Sequence, residues 1–211
     1  MKKIFLFILF LLFISYIFES IVNKHSFHKG SSINHVTLPD IIHDNLPHFK
    51  NLQNYHDYFI IIITLLFFII FSFYKKFNLI LLYIILFLIT RIINYIYFTV
   101  TTLPDSSKKC VFSENLFNTI KNLGSCNNLN ISGHFNNLCI QLYFFYKLFG
   151  IQYWFIYLIL YILGFLFICA SRNHYTIDCI NSTIVCLLLI SQIKPIIKIL
   201  NYIIGNNYFY L

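Results

Sequence analysis

The feature that most limits what this chain can fold into is a series of apolar runs, each close to twenty residues long and nearly free of charge. A hydrocarbon layer about 30 Å thick is crossed by roughly 20 helical residues. Six stretches approach that length, at residues 4–22, 58–74, 78–98, 136–150, 152–170 and 177–193, and the fourth and sixth are shorter and more polar. Only 10% of the 211 residues are charged while 59% are hydrophobic, whereas a soluble domain carries about 25% charged residues. A water-soluble fold and a disordered chain are both excluded. The expected fold is an all-α, polytopic membrane bundle of six transmembrane helices. Residues 1–35 would form an anchor helix and the start of a first lumenal loop, 36–193 the main membrane domain, and 194–211 a cytosolic or interfacial tail.

The net charge of +8 reads as topology. With six crossings, Lys2, Lys3, Lys75, Lys76, Lys147, Lys194 and Lys198 fall on one side. All the carboxylates (Glu19, Asp40, Asp44, Asp57, Asp105, Glu114, Asp178) fall on the other, as do His25, His28, His35, His43, His48, His56, His134 and His174. Basic density in the short loops favours a cytosolic first face, so the histidine face is expected to be lumenal or extracellular. Scattered cations give no stripe for nucleic acid, and none is expected as a partner. The first segment is read as a retained anchor, because Phe18-Glu19-Ser20 offers no pair of small residues for signal cleavage. The chain lacks GxGxxG, P-loop, HExxH and CxxC patterns, and no cofactor is expected.

The chemistry concentrates in Ser132-Gly133-His134 at the head of the fourth segment and Asn173-His174-Tyr175-Thr176-Ile177-Asp178 at the head of the sixth. Passing down the fourth segment and back along the fifth returns the chain to the same surface, so His134 and His174 can meet. His174 and Asp178 stand at i and i+4, on one helical face. A carboxylate there would fix the tautomer of His174 and expose its other nitrogen as nucleophile or base. A second histidine as acid and base suits phosphoryl transfer through a phosphohistidine. Each histidine alone reads equally as an interfacial residue satisfied by water, but ionisable groups at an apolar edge mark function when they occur together. His134, His174 and Asp178 could also be three metal ligands, yet no further carboxylate or cysteine stands at helical spacing, and no metal is expected.

These stretches resemble the sphingomyelin synthases and related ceramide phosphotransferases. Leu38-Pro39-Asp40 with Asp44-Asn45-Leu46-Pro47 is similar to that family's LPD-x3-DN-x-P segment, and Val100-Thr101-Thr102-Leu103-Pro104 to its VTTLP segment. Cys126 to His134 has the spacing of CGDxxxSGH, and His174 to Asp178 matches HYTxD. The likeness runs from Leu38 to Asp178. The chain departs from it at Asn127-Asn128, where Gly-Asp is usual, and at Phe135, where threonine is usual. By this resemblance His134, His174 and Asp178 form a catalytic triad. The enzyme would move phosphocholine or phosphoethanolamine from a glycerophospholipid to ceramide, releasing diacylglycerol, in the Golgi, endoplasmic reticulum or plasma membrane.

Three readings stay beside this one. They are inositol phosphoceramide synthesis, a lipid phosphate phosphatase (although no K-x6-R-P segment is present), and an inactive relative that binds lipid. Arg172 and Arg91 are candidate phosphate contacts, since an arginine fork suits phosphate oxygens. For Arg172 the alternative is snorkelling to the headgroups, and for Arg91 a structural ion pair. Asp40, Asp44 and Asp105 could attract a headgroup cation, with loop solvation as the alternative; Asp105, next to the VTTLP stretch, is the substrate-binding candidate among them. Cys110 and Cys126 share a loop and could form a disulfide or stay free. Cys139, Cys169, Cys179 and Cys186 read as packing residues. The sequon Asn130-Ile131-Ser132 abuts the membrane and is not expected to be glycosylated. The bilayer and the two lipid substrates are the expected partners, and a homo-oligomer is allowed.

Overall fold

A computed structural model describes residues 2–31, 37–48, 52–101, 103–104, 129–205 and 208–211. Asp105, Cys110, Cys126, Asn127 and Asn128 lie outside them. The regular structure of the described residues is helical throughout: α1 (Lys2–Ser31), α2 (Ile41–Asn45), α3 (Leu52–Phe73), α4 (Phe77–Val100), α5 (Gly133–Phe149), a 3-10 turn (Ile151–Tyr153), α6 (Trp154–Ala170), α7 (Thr176–Ser191) and α8 (Ile193–Ile204). Hydrocarbon offers no partner to a backbone amide, so an apolar run satisfies its own N–H and C=O groups by coiling.

The stretches Tyr55–Phe73, Phe77–Val100 and Ile151–Ala170 are long and apolar enough to cross a membrane. The pair α7 and α8 meets the same test together, bent by 59° at their junction, which gives up to four spans. The apolar part of α1, Leu6–Glu19, is shorter, and α5 has 17 residues with several polar side chains. A helical membrane bundle is therefore present. The six crossings expected from the sequence exceed the three or four that length and apolarity alone support among the described residues.

The central element is α5, which packs against α3, α4, α6 and α7, while α1 lies along α4. Its polar residues face inward. The Tyr83 hydroxyl donates to Asn137 Oδ1 at 2.5 Å, and Gln141 Nε2 reaches the Tyr83 hydroxyl at 3.1 Å and Thr64 Oγ1 at 2.8 Å. Asn136 Nδ2 donates to Asn94 Oδ1 at 3.0 Å. The amides that shorten the apolar run of α5 thus bind it to its neighbours. Below this layer Phe67, Phe71, Phe144 and Tyr83 interlock, with Phe67 to Phe71 centroids 4.3 Å apart.

Two glycines set the α5–α6 hairpin. Gly150 closes α5 at φ 86°, where an added Cβ would also sit 2.5 Å from Gln152 Oε1. At Gly164 a Cβ would sit 2.2 Å from Leu138 Cδ2, so the close approach of α6 to α5 needs a bare Cα there. Residues 194–204, expected to be part of a tail, belong with Ile193 to α8. Pro195 is tolerated there because it stands in the first turn. Phe209 then returns to the core at 2% exposure, held by a pair of 2.9 Å hydrogen bonds with Asn201, and Asn78 Nδ2 donates to the Tyr210 carbonyl.

Tyr83→Phe leaves the buried Asn137 Oδ1 without its donor and takes from the buried Gln141 one of its two acceptors, Thr64 Oγ1 remaining. The expected loss is about 1–3 kcal/mol, read as a lowered midpoint in detergent unfolding with the helical content unchanged.

Candidate active site

The N-terminal ends of α3, α5 and α7 meet at one end of the bundle, beside the C-terminal part of α4. This is the convergence that the order of segments predicts. Ser132 caps α5 by accepting from the Phe135 amide at 3.3 Å. Its own amide donates to Ser182 Oγ on α7 at 2.8 Å, and that hydroxyl lies 2.7 Å from the Asp178 carbonyl. The start of α5 is thereby stitched to the first turns of α7.

Asp178 stands in the first turn of α7 with no solvent exposure. Its Oδ2 accepts from the Tyr175 amide at 3.0 Å and lies 3.0 Å from His174 Nδ1. One carboxylate oxygen therefore caps the helix and orients the imidazole, a position the helix dipole also favours for a negative charge. The carboxylate takes the Nδ1 side of the ring, and the His174 side chain keeps 14% exposure. His134, in the first turn of α5, places Nε2 3.2 Å from Asp57 Oδ1. His56, from the same turn of α3 as Asp57, lies 2.8 Å from that oxygen and packs edge-on against His134 at 5.3 Å. Asn173, the neighbour of His174, puts its Nδ2 2.8 Å from His56 Nδ1, so a continuous path of contacts links the two histidine stations.

Asp57 and His56 were missed by sequence reasoning. An adjacent ionisable pair at the head of an apolar run looks like solvated interface. The available signal was that this pair heads a segment starting on the same face as His134 and His174.

The other candidates fall into different environments. Arg91 pairs with Glu19 at 3.0 Å and donates to the Tyr95 hydroxyl at 2.6 Å, so the structural pairing open for it exists. Its Nη1 also lies 3.6 Å from where a Cβ on Gly133 would stand, beside the head of α5. Arg172 adopts φ 58° and donates through Nη2 to the His43 carbonyl and, at 3.4 Å, to that of Leu46. Phe135 is fully buried, 5.0 Å from the Tyr161 ring and turned into the α5–α6 interface. Cys169, Cys179 and Cys186 are buried free thiols and Cys139 is half-buried.

Asp40 braces rather than attracts a ligand. Its Oδ1 caps α2 through the Ile42 and His43 amides at 3.0 and 3.1 Å. It also accepts from Thr176 Oγ1 at 2.7 Å, while Oδ2 accepts from the Thr176 amide at 2.6 Å. Leu38 N donates to the Tyr175 hydroxyl at 3.1 Å, and His43 Nε2 lies 3.1 Å from the His174 carbonyl. Two stretches more than a hundred residues apart are thus clamped together.

Burial alone would raise the Asp40 pKa, but hydrogen bonds from Thr176 and His43 and the charge of His43 outweigh it and hold it below the ordinary value. Burial lowers that of His43, against the opposing pull of Asp40. The Asp40 contribution is full above its unfolded pKa, about 3.9, and is lost as pH falls through its lower folded value. His43 acts earlier. Below its unfolded pKa, about 6.5, the undocked state takes up the proton more readily. Proteolysis within residues 37–48 is expected to accelerate as pH drops from 7 to 5, and His43→Gln should flatten that rise. Asp40→Ala should open the segment even at pH 7, with a cost of about 1–2 kcal/mol from the lost cap.

Residues 125–195, about a third of the chain, match the family model described as PAP2 superfamily C-terminal. That span contains His134, His174 and Asp178, and the match supports the lipid phosphate phosphatase superfamily, whose members are phosphatases or phosphotransferases. No curated protein and no solved structure matches the chain.

Proposed function

We propose that this is a ceramide phosphotransferase of the sphingomyelin synthase type, moving phosphocholine or phosphoethanolamine from a glycerophospholipid to ceramide. The observation that carries the reading is the His174 to Asp178 contact at 3.0 Å, at the end of the bundle where His134 also stands. His174 Nε2 attacks phosphorus and the bond from phosphorus to the diacylglycerol oxygen breaks. His134 supplies the proton that the departing alkoxide takes. In the second half His134 accepts the proton of the ceramide hydroxyl, whose oxygen attacks phosphorus as the bond to His174 breaks. Asp178 stabilises the imidazolium and fixes its orientation throughout.

Arg91, beside the head of α5, is our candidate for the phosphate oxygens. Arg172 would act through the segment it holds, and Asp105 is a proposed contact for the headgroup cation. A site at helix ends suits lipids, because their headgroups reach the catalytic side chains while acyl chains stay in hydrocarbon. In this reading six segments cross the membrane, with α1, α5 and α7 completing the apolar set, and residues 36–193 make up the catalytic unit. The histidine end faces the lumen or the extracellular side of the Golgi, endoplasmic reticulum or plasma membrane. The match over residues 125–195 favours one second reading, a lipid phosphate phosphatase with water in place of ceramide as acceptor.

Purified protein in liposomes, given fluorescent ceramide and separately phosphatidylcholine, phosphatidylethanolamine or phosphatidylinositol, is expected to form a phosphosphingolipid with a choline or ethanolamine donor. His174→Ala should form none. Asp178→Asn should lower turnover by about 10^4-fold, by analogy with loss of the orienting carboxylate in a catalytic triad. Phosphate release from phosphatidic acid with no transfer to ceramide would replace the transferase reading by the phosphatase one.

A further inference from the structure

The group formed by His56, Asp57 and His134 has a second property, separate from phosphoryl transfer. Each residue offers one ligand atom, and the three atoms lie within 4.8 Å of one another. Asp57 Oδ1 is 2.8 Å from His56 Nε2 and 3.2 Å from His134 Nε2. Ligand atoms set 2.0–2.1 Å from a tetrahedral zinc ion lie about 3.3 Å apart, so the two nitrogen-to-oxygen separations stand close to that value, and the two nitrogens lie within 4.8 Å of each other. Asp57 Oδ1 is also shielded from solvent and, among the described residues, accepts no hydrogen bond of good geometry, although two imidazole nitrogens stand beside it. A buried carboxylate oxygen flanked by two imidazole nitrogens that do not aim a hydrogen bond squarely at it is suited to an ion held between the three groups.

The surroundings fit as well. His56 is almost fully buried, and the Asn173 side-chain amide faces the ring edge between its nitrogens, 2.8 Å from Nδ1 and 3.0 Å from Nε2. With the carbonyl of that amide turned toward the ring and settled on Nδ1–H, Asn173 would leave the Nε2 lone pair to an ion, the usual outer support of a histidine ligand. His134 and Asp57 keep side-chain exposures of 33% and 29%, which leaves an entry path and a position for water. Arg91 opposes a cation near the head of α5, but Glu19 pairs with it.

We infer that His56, Asp57 and His134 form a binding site for one divalent transition-metal ion of the zinc type, with two imidazole nitrogens, one carboxylate oxygen and an open fourth position. The site is distinct from the His174 to Asp178 pair and shares only His134 with the proposed chemistry. A ring nitrogen that holds the ion cannot also carry a proton, so ion binding and proton transfer at His134 Nε2 exclude one another. The binding claim itself does not depend on what reaction the protein performs.

Chelator-treated full-length protein in detergent tests the assignment, by cobalt(II) titration followed in the visible range and by elemental analysis after zinc loading and dialysis. One ion per chain is expected, with the intense visible band of four- or five-coordinate cobalt. His56→Ala and Asp57→Asn should each weaken binding by more than about tenfold, the smallest effect typical of losing even an outer partner of a ligand. Asn173→Ala should weaken it by about tenfold. His174→Ala and the exposed His25→Ala should leave it unchanged. Circular dichroism and gel filtration of each variant separate loss of the site from loss of the fold. Absence of a stoichiometric ion in the wild type, or binding that survives both His56→Ala and Asp57→Asn, overturns the inference.

Discussion

The contact on which the active end depends is that of the Asp178 carboxylate with the Tyr175 amide and the His174 imidazole. A charge without solvent exposure is tolerated only where polar partners replace water. Here the partners are the free amide of a helix start and the ring that the carboxylate orients. The same residue's carbonyl takes the Ser182 hydroxyl, which in turn receives the amide that precedes α5. Placement of His174 and placement of the helix bearing His134 are therefore one event. The outer layer, in which Asp40 caps α2 and grips Thr176, closes around that arrangement rather than creating it.

Membrane proteins gain little from hydrophobic burial between helices, because lipid tails are as apolar as leucine. The bundle answers with polar contacts at its centre. Tyr83, Asn94, Asn136, Asn137, Gln141 and Thr64 tie α3, α4 and α5 together, while α3 and α6 present Ile62, Leu65, Ile69, Phe155 and Ile159 outward. In water such surfaces would aggregate, and in lipid they need nothing further. Small residues do the remaining work, as Gly164 does opposite Leu138.

Much of this was legible in the sequence where one physical demand dominated. Uninterrupted apolarity marks α3, α4 and α6 because the bilayer imposes it along the whole length. The contact of His174 with Asp178 was expected from an i, i+4 spacing on one helical face; the two do meet, but His174 stands before the N-cap Tyr175, so the turn that leads into α7 brings it to the carboxylate. Boundaries were harder, since α5 begins at Gly133 rather than near Asn136: the Ser132 cap, not apolarity, starts the helix. Helix α1 likewise continues to Ser31, past the apolar run that suggested residue 22. Helix α8 escaped notice because its apolar residues lie on one face, which an average over a window dilutes. Asp40 looked like a loop acid open to a headgroup cation. Its actual partners sit on α7, and no local pattern announces a contact across that distance. His56 and Asp57 were hidden for the same reason, since their meaning lies in a neighbour on another helix.

Position 172 shows how two unrelated demands can fix a residue type. The left-handed backbone there costs a side-chain-bearing residue about 1–2 kcal/mol, which glycine or asparagine would reduce. The long donor that reaches the carbonyls at the end of α2 calls for the opposite choice. Glycine would relax the turn and release the segment. A β-branched residue would strain the turn and release it too, and lysine would keep the reach but not the planar fork. Arginine is the compromise that tolerates local strain in return for a long-range hold, so substitution tolerance at this turn is narrow.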